Sequence, residues 1–400
     1  MNYKNDFPML QKDIVYFDNG ATSLKPKCVM EKMDDYYYNY SSNAHRGDYK
    51  ISLKASSEYE KVRDKVKNFI NAEKSEEIVF TSGSTDSLNM IIYGYFKYNL
   101  NMGDEVLITK AEHASNILPW FELSKDIGIN VKYIPLTENH MVTIENVINS
   151  ITKKTKVISL AHITNVIGDM RPIKKIVEYA HSKGILVVVD GAQSVGHTKV
   201  DVRDLNVDFL SFSAHKMLGP TGVGVLYGKY DLLDKIKPIR YGGGMNVAFS
   251  DVDNVVYKDL PYRLEAGTQN IAGVIGFGPA IDYINEVGID NIEESCDSLK
   301  EYIIKELKKI KHIKLYNENV EGAIVTFNVD KVFAQDTAIY LDKYNICVRS
   351  GSHCAKKLED EFGIKNTCRI SIYFYNTKED ADKLINALKN ENILEESLGV

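Results

Sequence analysis

Residues 207–228 read "VDFLSFSAHKMLGPTGVGVLYG". An apolar run opens the stretch, small residues carry it to His215-Lys216, and Gly219, Pro220, Gly222 and Gly224 follow. The run 207–213 is predicted to be a buried strand, so Lys216 falls just past a strand end, among Ser, Ala and Gly. Lysine is ordinarily a surface residue. A snorkelling or salt-bridged side chain would account for it. So would a desolvated amine, whose pKa drops from about 10.4 and which then acts as a nucleophile.

The same kind of pattern extends outward from this stretch. Short apolar runs at 76–83, 104–109, 130–136, 155–163 and 184–192 are rich in Val and Ile and lack clean alternation. That is expected of strands covered on both faces. Helical patterns lie between several of them, at 86–99 and at 173–184, where Gly184 is placed as a C-cap. The alternation predicts an α/β fold with a mainly parallel sheet. The tail reads differently: an amphipathic helix at 292–311, strands at 322–329 and 368–375, and a closing helix at 377–391 with Thr377 as N-cap. The expected organisation is a large α/β domain over 16–283 and a smaller α+β domain built from 1–15 and 284–400. The glycine-rich "YGGGMN" (241–246) reads as a loop.

Composition narrows the function classes. The chain has 400 residues, 44% hydrophobic and 26% charged, which is ordinary for a large globular core. The net charge of −6 and the lack of a basic stripe argue against nucleic-acid binding. No signal-peptide pattern opens the chain, and no apolar run reaches the roughly 18 residues of a membrane span, so a cytoplasmic protein is expected. The five cysteines include no CxxC pair, which argues against a disulfide framework or a cysteine-based metal site. No metal site is expected.

In open α/β sheets ligands bind at the carboxyl ends of strands. After the strand at 76–80 come Gly83, Ser84 and Thr85, just before a helix. Hydroxyls at such an N-terminus suit a phosphate, although a plain helix cap reads the same way. After the aliphatic run 185–189 comes Asp190, an expensive position for a carboxylate without a partner such as a protonated ring nitrogen. Lys216 ends the next strand. A phosphate cradle, an acidic ring partner and an amine nucleophile, in that order, are what pyridoxal 5'-phosphate requires. No GxGxxG after a strand, GxxxxGK[ST] or HExxH motif competes.

The stretches "SFSAHKMLGPTGVGVLYG", "VVVDGAQSVGH", "AEHASNILPW" and "RSGSHCA…TCRISIYFYNT" resemble the class V aminotransferase superfamily of fold type I PLP enzymes. Within it the chain resembles the SUF-type, or group II, cysteine desulfurases. The likeness runs from "VYFDNGATSLKP" (15–26) to 368–377 in the family's order. It implies that Lys216 carries the cofactor, Asp190 pairs with its ring nitrogen and Gln193 with its ring hydroxyl. Ser84, Thr85, Ser213 and His215 would hold the phosphate. His113 would stack on the ring and help move protons, and Asn165 would sit near the ring and the substrate amino group. Arg369 would clamp the substrate carboxylate, with Arg349, His45 and Arg46 also lining the site. Thr268 would reach the phosphate of a neighbouring subunit, which implies a homodimer.

Cys354 stands apart from the other four cysteines because "VRSGSHCAKKL" is a polar, glycine-containing context. A thiol there is expected to be exposed and reactive, with Arg349 and His353 favouring the thiolate. Cys28, Cys296, Cys347 and Cys368 are expected to be packing residues. Two positions depart from the family pattern: Ser352 replaces a usual histidine in Gly-His-His-Cys, and Tyr49 replaces another near the N-terminus.

The implied reaction converts L-cysteine to L-alanine, leaving the sulfur as a persulfide on Cys354 for an acceptor protein in iron–sulfur assembly or another sulfur supply. A selenocysteine lyase, a sulfide-releasing C–S lyase and a non-catalytic sulfur-transfer scaffold are the alternatives. Only 14 residues separate Cys354 from Arg369. At about 3.3–3.6 Å per extended residue, out and back, that tether is too short for a travelling cysteine.

Overall fold

The computed structural model describes residues 3–363 and 365–398. Its centre is a seven-stranded sheet in the order Ile78–Thr81, Gly224–Gly228, Phe209–Ser213, Leu186–Asp190, Thr155–Ala161, Glu105–Ile108, Asn130–Tyr133. Every pairing is parallel except the two made by Gly224–Gly228. The strands read as unbroken aliphatic runs because both faces are buried. Val187 and Val189 pack into the core on one side of the sheet, while Val188 packs into the core on the other. The first core is completed by helices Lys50–Phe69, Ile173–Ser182 and Ile271–Val287, and the second by Ser84–Ile91 and Leu118–Ile127. The fold is the α/β, mainly parallel architecture that the sequence pattern predicts.

One strand of the sheet is reversed. Ile78–Thr81 and Phe209–Ser213 are not neighbours; Gly224–Gly228 lies between them, running the other way. The Ser84 turn still reaches the end of Phe209–Ser213, because it folds over Gly224. A Cβ on Gly224 would lie 2.3 Å from the Cα of Gly83. Only glycine leaves room for that crossing.

The C-terminal part builds a four-stranded antiparallel sheet, Ile313–Leu315, Ile324–Val329, Thr367–Ser371, Arg349–Gly351. The N-terminal segment lies against it: Val15–Tyr16 pairs with Ile346–Cys347, and Ser371 N–H donates to Phe17 O at 2.7 Å. The amphipathic helix expected at 292–311 runs Ile289–Leu307, set off from Ile271–Val287 by Gly288 at φ +85°. The strand expected over 368–375 stops at Ser371, where Asn376 turns the chain by accepting the Tyr373 N–H at 2.8 Å. Thr377 caps Lys378–Leu388 as expected, in a reciprocal box with Asp380. An exposed hairpin, Asn246–Phe249 with Val255–Tyr257, follows the glycine loop and was not legible. Among the described residues no helix is long and apolar enough to cross a membrane.

Candidate active site

A cavity of about 840 Å³, counting its open mouth, lies at the carboxyl ends of the parallel strands. Twelve expected residues line it: Ser84, Thr85, His113, Asn165, Asp190, Gln193, Ser213, His215, Lys216, Arg349, Cys354 and Arg369. Sequence reading missed Gly20, Ala21, Ser115, Ala161, Ile163 and Ala192, which complete the wall. These carry little or no side-chain chemistry, although "DNGATS" (18–23) was a signal for the first two.

Lys216 ends a single 3₁₀ turn, Ala214–Lys216, that leaves the strand Phe209–Ser213. The turn is pinned from below. The His215 carbonyl accepts the Ser23 N–H at 2.9 Å and the Thr22 hydroxyl at 3.0 Å. Burial holds the Lys216 amine down at about 8, helped by the Arg369 and Arg349 charges and opposed by Asp190. Lys25 and Lys300 are held down to about 8 by burial too. Lys25 donates to Thr22 Oγ1 at 2.9 Å and to the Ser23 carbonyl, and Lys300 donates to the Val320 carbonyl. Lys216 makes no hydrogen bond or ion pair among the described residues, so its amine is free inside the cavity.

Asp190 is buried at the end of the neighbouring strand. Its Oδ1 accepts from the Ala192 N–H at 3.0 Å and from the Ser84 hydroxyl at 3.2 Å. Burial raises its pKa, against the pull of those donors and of Lys216. A buried carboxylate in that state favours a cationic partner. Ser84 opens the helix Ser84–Ile91, and its N–H donates to Ser213 Oγ at 2.8 Å. Gln193 donates to the Gly20 carbonyl at 2.9 Å, which draws the N-terminal "DNGATS" segment over the cavity.

His113 lies in the turn that follows Glu105–Ile108. Its Nδ1 accepts the Ser115 N–H at 3.1 Å, which places the ring proton on Nε2. Burial, then the charges of Lys216, Arg349 and Arg369, hold its pKa down at about 4. It is a neutral ring at pH 7. His215 is held down to about 4 by burial, then by the charges of Lys216 and Lys25.

Arg369 sits in the small sheet, 1% exposed. It donates to Asp18 Oδ1 at 3.1 Å and to the Asn165 carbonyl at 2.8 Å. Arg369 Nε and Asn165 Oδ1 are both buried with no partner among the described residues. Buried polar atoms normally find partners, so both call for one from a bound molecule.

Cys354 is the exposed member of the five cysteines; Cys296 and Cys368 are buried and Cys28 and Cys347 half-buried, as expected. It lies at the cavity edge with φ +57°, next to His353 at φ +51°. Two successive non-glycine residues in the left-handed region are strained and must be held. Asn165 Nδ2 donates to the His353 carbonyl at 2.7 Å, and Ala114 N–H donates to the Cys354 carbonyl at 2.8 Å. The Arg349 guanidinium lies 3.8 Å from the thiol. His353 does not supply the positive charge expected of it. It is buried on Thr367, and burial with the charges of Arg369 and Arg349 holds it down at about 3, so it is neutral.

Three expected residues lie elsewhere in this chain. His45 and Arg46 line a second pocket, Arg46 donating to the Gly267 carbonyl at 3.1 Å and Asn43 donating to the hydroxyl of Thr268 at 3.2 Å. His45 is engaged by Glu60 at 3.0 Å. Within this single chain His45 and Arg46 do not line the Lys216 cavity. Ser352 lies beside the cavity loop, its carbonyl accepting the Ala355 N–H at 2.8 Å, while Tyr49 is an exposed residue at the start of Lys50–Phe69, its hydroxyl on Ser42 at 2.9 Å.

The residues present fit pyridoxal 5'-phosphate. A free, unprotonated-prone amine, a buried carboxylate seeking a cation, hydroxyls at a helix start and unpaired buried Asn and Arg atoms share one cavity. Among the described residues no cluster suited to a metal ion occurs.

Known proteins share this sequence pattern and fold. Residues 15–384 match the sequence model of the aminotransferase class-V family. A probable cysteine desulfurase of Halalkalibacterium halodurans is 42% identical over 391 residues, 96% of each chain. The apo structure of a cysteine desulfurase from Thermococcus onnurineus NA1 superposes with a TM-score of 0.93 at 35% identity, over 99% of this chain and 98% of that one. The cysteine desulfurase CsdA from Escherichia coli, in an S-sulfonic acid form, gives 0.91 at 34% identity over the same shares. With a family match over nearly its whole length and its strand-end lysine in the expected cavity, this chain belongs to the class V aminotransferases.

Proposed function

We propose that the protein is a PLP-dependent cysteine desulfurase, which converts L-cysteine to L-alanine and holds the sulfur as a persulfide on Cys354. The observation that carries this is one cavity lined by both Lys216 and Cys354, with Asp190 and Arg369. A scaffold has no use for a desolvated free amine beside an exposed thiol.

Lys216 would hold the cofactor covalently, Asp190 its ring nitrogen and Gln193 its ring hydroxyl. Ser84, Thr85, Ser213 and His215 would hold its phosphate. Pyridoxal 5'-phosphate, when bound, supplies an electron sink that makes the Cα–H of an amino acid acidic. Arg369, fixed by Asp18 and the Asn165 carbonyl, binds the substrate carboxylate and sets its orientation. The Lys216 amine, with its pKa near 8, takes the Cα proton. His113, neutral, would stack on the ring and offer its Nε2 proton for transfer. Cys354 Sγ attacks the substrate sulfur. An S–S bond forms, the Cβ–S bond breaks with its electron pair staying on carbon, and protonation at Cβ together with return of the proton from Lys216 to Cα gives alanine.

The SUF-type assignment rests on the short tether. The helix Lys356–Phe362 takes up half of the segment between Cys354 and Arg369, and the backbone on both sides of the thiol is hydrogen-bonded down. Cys354 reaches a substrate in the cavity but does not travel, so an acceptor protein brings its own thiol to the site. The cluster of His45, Arg46 and Thr268 serves the phosphate region of a second copy in a homodimer. The large unit over 16–283 carries the cofactor residues, and the smaller one, 1–15 with 284–400, carries Cys354 and Arg369. The five cysteines are all free, as suits a reducing compartment, which favours a cytoplasmic protein.

The test measures alanine with cysteine alone, with a small thiol reductant, and with an acceptor protein carrying or lacking its cysteine. The expected result is one persulfide on Cys354 followed by slow turnover, relieved by reductant or by the cysteine-bearing acceptor. Full-speed turnover with no acceptor or reductant would overturn the reading in favour of a lyase that releases sulfide.

A further inference from the structure

Two loops deliver ring-facing residues to the cavity: 109–116 carries His113 and 162–171 carries Asn165. At their bases lies a buried ion pair that the chemistry above does not use. Glu112 precedes His113 in sequence, and Arg171 closes the second loop, its N–H on the His162 carbonyl at 2.9 Å. Glu112 is 0% and Arg171 2% exposed, and their side chains are in direct contact. Between them they take both polar groups of Ala161, a cavity residue in register with Asp190. Glu112 Oε2 accepts the Ala161 N–H at 2.7 Å, and Arg171 donates to the Ala161 carbonyl at 3.3 Å. Glu112 also accepts from Thr109 Oγ1 at 2.7 Å and Asn116 Nδ2 at 2.9 Å, closing the turn around His113.

We infer that the Glu112–Arg171 pair is a positioning device that fixes His113 relative to Asn165 across the end of the Thr155–Ala161 strand. Burying two charges is costly, and an apolar pair of similar volume would stabilise the fold as well or better. What an apolar pair could not do is satisfy Ala161 on both sides while gripping two loops at once. Seven hydrogen-bonding contacts of fixed direction converge on this point from Thr109, Asn116, Ala161, His162 and the two charges themselves. Directional bonds set angles, which dispersion contacts do not. Neither residue lines the cavity, so neither is catalytic.

The inference rests on the PLP reading of the cavity, and the test separates the two. The double variant Glu112→Gln/Arg171→Met removes both charges of the pair together; Asp169, which faces Arg171 Nε at 3.7 Å, loses that neighbour but keeps the Val142 N–H at 3.1 Å. In the loaded enzyme it should keep the wild-type far-ultraviolet spectrum, while the visible circular dichroism of the bound cofactor weakens because the ring is no longer held at one angle. With the ring misplaced, kcat for alanine formation should fall about tenfold to a hundredfold, while KM, set mainly by Arg369, changes by less than about threefold. Should the double variant not fold, Glu112→Asp carries the test, keeping the pair but withdrawing the carboxylate by one methylene; the same kcat and dichroism changes are expected at smaller size. A folded double variant, or Glu112→Asp, with wild-type dichroism and kcat overturns the inference. Wild-type protein that binds PLP but makes no alanine overturns the desulfurase reading alone, since the dichroism still decides the pair's role.

Discussion

The two nucleophiles of the cavity are built in opposite ways. Lys216 ends a turn pinned by Thr22 and Ser23, is hemmed in by protein, and owes its low pKa to burial. Cys354 is exposed on a loop strained into the left-handed region, with a guanidinium beside it. An amine becomes reactive by losing its proton, which burial favours because it penalises the charged form. A thiol becomes reactive by gaining charge, which burial opposes: the buried Cys296 and Cys368 thiols are both pushed up by desolvation, Cys368 to about 12. One cavity therefore needs a dry floor for the lysine and an open rim for the cysteine. The strand end and the short loop supply these.

The comparison breaks most sharply at the floor. Lys216→Ala should lower alanine formation by at least about 10³-fold while PLP still binds noncovalently, because the general base is lost and the phosphate hydroxyls remain. Borohydride reduction and peptide mass spectrometry of the wild type should place the cofactor on Lys216, and label on another lysine would refute the assignment.

At the rim, Cys354→Ser should cost about a hundredfold in alanine formation, or roughly 2.7 kcal/mol of barrier, and leave no persulfide. Cysteine should still perturb the cofactor spectrum of this variant, because Lys216 and Arg369 are intact. Wild-type alanine output would make Cys354 a bystander.

Packing should matter at the floor more than at the rim. Gly224→Ala would drive a methyl into the Gly83 backbone, so we expect a loss of about 1–3 kcal/mol in unfolding by denaturant together with weaker PLP retention. Unchanged stability would mean that the crossing is loose. By contrast, Cys368→Ala, which removes a buried thiol that lies on the Ala334 carbonyl at 3.2 Å and does not line the cavity, should leave kcat within about twofold and cost at most about 1 kcal/mol of stability.

The pH dependence tests the floor in the apo protein. With a pKa near 8, the Lys216 amine should be modified by a small aldehyde about tenfold faster per pH unit up to 8 and level off above it. An ordinary lysine continues to gain reactivity toward about 10.4. The stability sign follows. Between about 8 and 10.5 the unfolded chain keeps this proton and the native state has lost it, so the Lys216 contribution to stability rises with pH across that window. Peptide mass spectrometry after timed labelling reads the profile. A Lys216 profile that tracks the exposed lysines would show that the floor is wet.

Part of the candidate site was legible in the sequence. Strand-end position singled out Asp190 and Lys216 as candidates, since a charged residue at the end of a buried strand is costly without a task, and the family resemblance supplied the roles expected of the other residues. The α/β alternation was readable for the same reason: strands covered on both faces lose their period and become aliphatic runs. The reversed strand Gly224–Gly228 was not readable, because "GVLYG" carries no direction; pairing decides that. The neutral state of His353 was not readable either. Its sequence neighbours suggest a polar loop, whereas the folded chain buries its ring on Thr367. The spacing of the motifs could not say that His45 and Arg46 gather with the Thr268 loop rather than with Lys216, nor that Glu112 and Arg171, 59 residues apart, would meet under Ala161. Residue type and local pattern fix which groups can do chemistry. Their partners, desolvation and distances are set by long-range contacts, and these exist only once the sheet has closed.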